Sequence, residues 1–124
     1  RETSLISPCA GVVEEIAVLR GTALVSEGDT VAAGQELAGG WLETQDGEKI
    51  PTFAVARASI ICTGDFSYTA AEESDEQRQR ALAAAYLACG GEPVSETVDM
   101  IGQGEQVIYT VHLSYRVRIA VNMG

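Results

Sequence analysis

Alternating apolar and polar positions run through most of the chain. From Gln106 to Val121, Val107, Tyr109, Val111, Leu113, Tyr115, Val117, Ile119 and Val121 fall on one face of an extended backbone. Thr110, His112, Ser114, Arg116 and Arg118 fall on the other. Side chains alternate faces along a strand, so the pattern predicts a long, half-buried strand. An earlier run, Gly11 to Leu19, alternates only in part, because Glu14 interrupts it. Short apolar runs at 4–6, 23–25, 35–38 and 41–44 are separated by Ser7-Pro8, Arg20-Gly21, Gly28-Asp29 and Gly34-Gln35. Glycine reaches positive φ without steric cost, and proline lacks a ladder donor, so these are turns. Asp46-Gly47 predicts a hairpin whose return covers 49–61, with Pro51 marking an edge or a bulge. Strand character continues over 62–69 across Gly64, with Phe66 and Tyr68 on one face.

The period changes within 72–91. Leu82, Ala85, Tyr86 and Cys89 follow the spacing of a helix stripe. Ser74 with Gln77 has the form of a capping box, and Asp75 and Glu76 suit the positive end of the helix dipole. Gly90-Gly91 supplies the stop, and Pro93 forbids resumption. Two further strands follow, 94–101 and 106–121, around the turn at 102–105. The predicted fold class is therefore mainly β with one helix, α+β: a small barrel or sandwich over 1–64, with an appended β-α-β-β layer over 65–124.

Composition narrows the function classes. A chain of 124 residues with 46% hydrophobic and 21% charged residues suits a folded domain and argues against disorder. The net charge of −10, with Lys49 the one lysine, argues against nucleic acid and against docking on anionic lipid. No apolar run reaches the ~20 residues that span a bilayer. The chain starts at Arg1 and enters a strand within four residues, so it is expected to be an excised piece of a longer protein. An anchor segment would then lie outside it.

Candidate chemistry is sparse. His112, the one histidine, lies on a polar face and reads as a solvated or hydrogen-bonded residue rather than a general base. Glu14-Glu15 and Glu72-Glu73 are adjacent pairs, whose side chains diverge. Gly102-Gln103-Gly104 precedes no helix and is a turn, not a phosphate loop. Arg116 and Arg118 read as balancing the protein's own carboxylates, with an acid-binding patch as the other reading. Trp41 is expected to plug the core or barrel mouth; exposed, it would mark an interface. Cys9, Cys62 and Cys89 read as small buried apolar residues. A Cys9–Cys62 bridge is open if their strands adjoin, and a zinc site lacks close ligand spacing. No catalytic, cofactor-binding or metal-binding residue is assigned, and no cofactor is expected.

Two segments, ISPCAGVVEEIAVLRG and EGDTVAAGQELAGG, resemble the half-barrel repeat of biotinyl/lipoyl-type domains, with its A-P-x-x-G-x-V and G-D-x-V-x-x-G-Q turns. The resemblance implies a barrel-sandwich hybrid-like fold. Carrier members bear their cofactor on a hairpin lysine, flanked by methionines in the biotinyl members; Lys49 has no such flanks, which argues against carrier chemistry. Membrane-fusion adaptor proteins share the half-barrel without that lysine. The longer form GTALVSEGDTVAAGQELAGG is similar to the YqfD family of sporulation membrane proteins. That family's segment is followed by a hairpin and a return matching Val55-Ala56-Arg57-Ala58, an aromatic strand comparable with Asp65 to Tyr68, and a long alternating strand resembling Val107 to Val121. Arg116 and Arg118 stand where the family usually has an acidic pair. The resemblance implies a non-enzymatic, extracytoplasmic module of a membrane-anchored sporulation protein, lying between mother cell and forespore. Its partners would be proteins of a membrane-associated assembly, with a homo-oligomer through an exposed strand edge as one form. The alternative is an adaptor domain of an efflux or secretion system. A third reading is an enzyme-associated carrier or hydrolase domain.

Overall fold

The computed structural model describes residues 4–122, and within them the chain is mainly β with a single helix, an α+β fold. The strands are β1 (Leu5–Ile6), β2 (Gly11–Arg20), β3 (Thr22–Ala23), β4 (Thr30–Val31), β5 (Glu36–Gly39), β6 (Trp41–Glu43), β7 (Lys49–Pro51), β8 (Val55–Ala70), β9 (Glu92–Gln103) and β10 (Gln106–Asn122). The helix α1 covers Asp75–Cys89. Three sheets form, in the orders β1-β5-β3, β4-β2-β8-β10-β9 and β6-β7. The described residues divide into two compact units, one of residues 4–62 with 118–122 and one of residues 63–117.

In the first unit the turn residues have specific work. Asp29 Oδ2 accepts from the Ser26 amide at 2.8 Å, and Gln35 Oε1 accepts from the Ala32 amide at 2.9 Å. Each side chain closes its own turn, as short polar side chains do where backbone donors would otherwise go unmet. The segment after Gly21 is held in a sheet, with Thr22 opposite Gly39 and Ala23 opposite Ala38. Ser7 is buried but fully occupied: its amide donates to Gln35 O, its carbonyl accepts from the Gly34 amide, and its hydroxyl donates to Cys9 O. Leu5, Val13, Val31, Leu37, Ile60 and Cys62 are buried here.

Glu14 is the residue at which β2 breaks register against β8. Val13 pairs with Ile60 and Glu15 with Ser59, which leaves Glu14 as a bulge. Its carboxylate accepts from the Ser59 hydroxyl at 2.8 Å.

The hairpin return differs from the expected continuous strand. β7 stops at Pro51, and β8 begins only at Val55. Proline gives the ladder no donor, and the chain turns to other partners. The Thr52 amide donates to Gly40 O at 2.8 Å, Arg20 Nε donates to Thr52 Oγ1 at 2.7 Å, and the Arg20 guanidinium lies 4.4 Å over Phe53.

In the second unit α1 packs on one face of the sheet. Ala81, Leu82 and Ala85 of the helix meet Ala70, Tyr109, Val111 and Leu113, with Phe66, Tyr68, Val98 and Tyr115 around them. The expected stripe is turned slightly: Ala81 joins it, while Tyr86 sits at its margin and donates to Glu96 Oε1 at 2.9 Å. Ser74 caps the helix by accepting from the Gln77 amide at 3.1 Å, and Gly90 ends it at φ 72°, a left-handed value that suits glycine. The reciprocal half of the capping box goes elsewhere. The Ser74 amide donates to Tyr109 Oη, and Gln77 Oε1 accepts from the Tyr68 hydroxyl. β9 and β10 form a hairpin with Gln103 opposite Gln106, and β9 is the sheet edge.

Candidate functional site

Alternation sends two different faces of the second unit's sheet to two different fates. Tyr109, Val111 and Leu113 point to the helix, so Thr110, His112 and Ser114 point away from it. Register places Asp99, Thr97 and Ser95 of β9 opposite them. From β8, Thr63, Asp65, Ser67 and Thr69 are exposed between the helix-packed Phe66 and Tyr68. Around the centre of this uncovered face stand hydroxyls, carboxylates and one imidazole, with Arg116 toward one end and the facing pair Ile108 and Ile101 toward the other.

At its centre His112 bridges two strands. Nδ1 lies 2.7 Å from Asp65 Oδ1 on β8, and Nε2 lies 2.8 Å from Asp99 Oδ2 on β9. The hydrogen bond to Asp65, then that to Asp99, raise the imidazole's pKa above its ordinary 6.5; the nearby negative charges add to this, and partial burial opposes it. Both carboxylates favour the cation, which can donate from both ring nitrogens. With both nitrogens committed, the ring has none left to take a proton from Ser114 or Thr97, so the arrangement suits charge bridging rather than activation of a hydroxyl. A shallow cavity of about 280 Å³ adjoins it, lined by Thr63, Asp65, Ser95, Thr97, His112 and Ser114 among others. Among the described residues no group of three or more His, Cys, Asp or Glu is arranged to hold a metal ion.

The other sequence candidates separate. Arg116 pairs with Glu92 at 2.9 Å, as charge balance predicts. Arg118 lies in the first unit, in an open groove of about 410 Å³ with Arg57, Glu15 and Ser59. Trp41 is half-buried: its ring lies against Gly39, where a Cβ would fall 1.8 Å from it, and Lys49 Nζ sits 4.6 Å over its face. Lys49 therefore stands on β7 opposite Glu43, behind the hairpin tip.

The cysteines correct the plain reading of three buried thiols. Cys9 and Cys62 are joined by a disulfide, with Cα atoms 6.1 Å apart, inside the range such bonds need. The reason is register: Gly11 pairs with Cys62, which brings Cys9, two residues before the strand, alongside. Cys89 is free and half-buried, with its thiol against Tyr86 O and Gly91 O.

Sequence reasoning missed Asp65 and Asp99 as partners of His112. Each sits on the exposed side of its strand, 47 and 13 residues away from the histidine, and only the pairing of β9 with β10 and β8 with β10 brings them together.

The model of one protein family, described as "Putative stage IV sporulation protein YqfD", matches residues 1–84. The match runs through the first unit's opening strands and into α1. No curated protein and no solved structure matches the chain. No helix among the described residues is long and apolar enough to cross a membrane.

Proposed function

The chain belongs to the YqfD family of sporulation proteins, and from that premise we propose that it is a non-enzymatic, extracytoplasmic interaction module of a membrane-anchored sporulation protein. The observation that carries the compartment is the Cys9–Cys62 disulfide. Such bonds persist in oxidising compartments and are rare in a reducing cytosol. The acidic composition and the polar, uncovered sheet face support protein partners over nucleic acid or anionic lipid. The role is presentation of that surface on a rigid scaffold, within a membrane-associated assembly.

The test is the thiol state of the native protein in sporulating cells. Cells are quenched in acid, free thiols are blocked with a maleimide, and the masses of the Cys9 and Cys62 peptides are read with and without prior reduction. Blocking of Cys89 alone is the expected result. Free Cys9 and Cys62 in the intact cell would overturn the extracytoplasmic reading. Crosslinking in the same cells, followed by mass spectrometry, separates a self-assembly from a mixed one.

A further inference from the structure

The edge strand β9 is little covered for its length. Of its 12 residues only Val98 is more than superficially covered. It is fixed by its ladder to β10, by Tyr86 to Glu96, by Arg116 to Glu92, and by the Asp99–His112–Asp65 bridge. The bridge reaches past β10 to the strand beyond. We propose that it is a proton-operated clasp: with its proton, His112 ties β9 to β8 across β10, and on losing the proton it loosens the β9 edge, which stays paired with β10.

The chemistry follows from the two ring nitrogens. The cation donates one hydrogen bond to each aspartate and neutralises one of their two charges. The neutral ring donates only one. Its other nitrogen then turns a lone pair toward a carboxylate oxygen, and Asp65 and Asp99 repel each other without a cation between them. The charged groups on this face are Asp65 from β8, Asp99 and Glu92 from β9, and Arg116 from β10, the last two paired with each other. Glu96 turns to Tyr86 instead. Histidine is the side chain whose ordinary charge change falls between about pH 5 and 8, and His112 is the one histidine. An edge strand that loosens exposes backbone donors and acceptors ready to pair with another chain.

The experiment is amide hydrogen exchange on the whole chain at about pH 5.5 and about pH 8.5, corrected for the intrinsic rate, with His112 protonation followed by its ring resonances. Protection of β9 amides is expected to fall by roughly two- to fivefold between the two conditions, the range that exposed ion pairs support. Amides of α1 should not follow. His112→Gln should show the low protection at both pH values. Equal protection of β9 in the native chain on either side of the histidine titration overturns the clasp, and so does the same fall in His112→Gln. If His112→Gln does not fold, Asp99→Asn decides. A smaller fall supports the clasp, and an unchanged one overturns it.

Discussion

Tyr109, from β10, closes the start of α1: its hydroxyl accepts from the Ser74 amide at 3.1 Å and donates to the Ser74 carbonyl at 3.2 Å. The ring itself is 2% exposed, so strand and helix are joined by one side chain that is both core and cap. Tyr109→Phe keeps the packing and leaves the Ser74 amide without its partner, while the Ser74 carbonyl keeps its bond from the Arg78 amide at 3.0 Å. It is expected to cost about 1–3 kcal/mol in urea denaturation. Ser74→Ala, which loses the bond to the Gln77 amide, should cost about 1 kcal/mol. An unchanged midpoint for Tyr109→Phe would mean that water replaces the hydroxyl.

The Cys9–Cys62 bond ties residues 53 apart in sequence. Cross-links of this kind stabilise by about 2–4 kcal/mol. Reductant should lower the denaturation midpoint of the native chain accordingly. The Cys9→Ala, Cys62→Ala double variant should start at the lower midpoint and ignore reductant.

The stability contributed by His112 has a definite sign with pH. Its folded-state pKa is raised above 6.5, so the folded chain holds the proton more tightly than the unfolded one. The contribution is complete below about 6.5 and is lost as pH rises through the raised folded value. Denaturation midpoints of the native chain and His112→Gln should therefore differ at acid pH and converge in alkali. Proton resonances of the ring should titrate above 6.5 in the native chain, and lower in Asp65→Asn.

Gly39 leaves room for the Trp41 ring, and a methyl group there would overlap it. Gly39→Ala is expected to cost about 1–3 kcal/mol by overpacking. Trp41 is the sole tryptophan, so its fluorescence should also shift to the red as the ring is pushed toward water.

Much of the fold is readable from local pattern. The face assignment of Tyr109, Val111 and Leu113 needs only period 2, the Ser74 and Gly90 caps need only residue type, and Glu14 shows in the sequence as a broken alternation that the β2–β8 register resolves into a bulge. What escapes is what depends on register between distant strands. Tyr109 replaces the expected Gln77 partner from 35 residues away. Cys9 finds Cys62 because Gly11 pairs with it, and His112 finds Asp65 and Asp99 because β10 runs between their strands. The break between Pro51 and Val55 escapes for a related reason, since the partners that hold it, Gly40 and Arg20, lie well before it in the chain.

The division of the chain sets the order in which the two units become complete along the sequence. The second unit is one unbroken stretch, 63–117, whereas the first combines residues up to 62 with those from 118 onward. Everything the second unit needs is on hand before the first can be completed. The tail of β10 must arrive last to finish what β2 and β8 began. Cys9 and Cys62 both precede this stretch, so their bond ties together strands of the first unit alone and leaves the joining of β10's tail to the ladder.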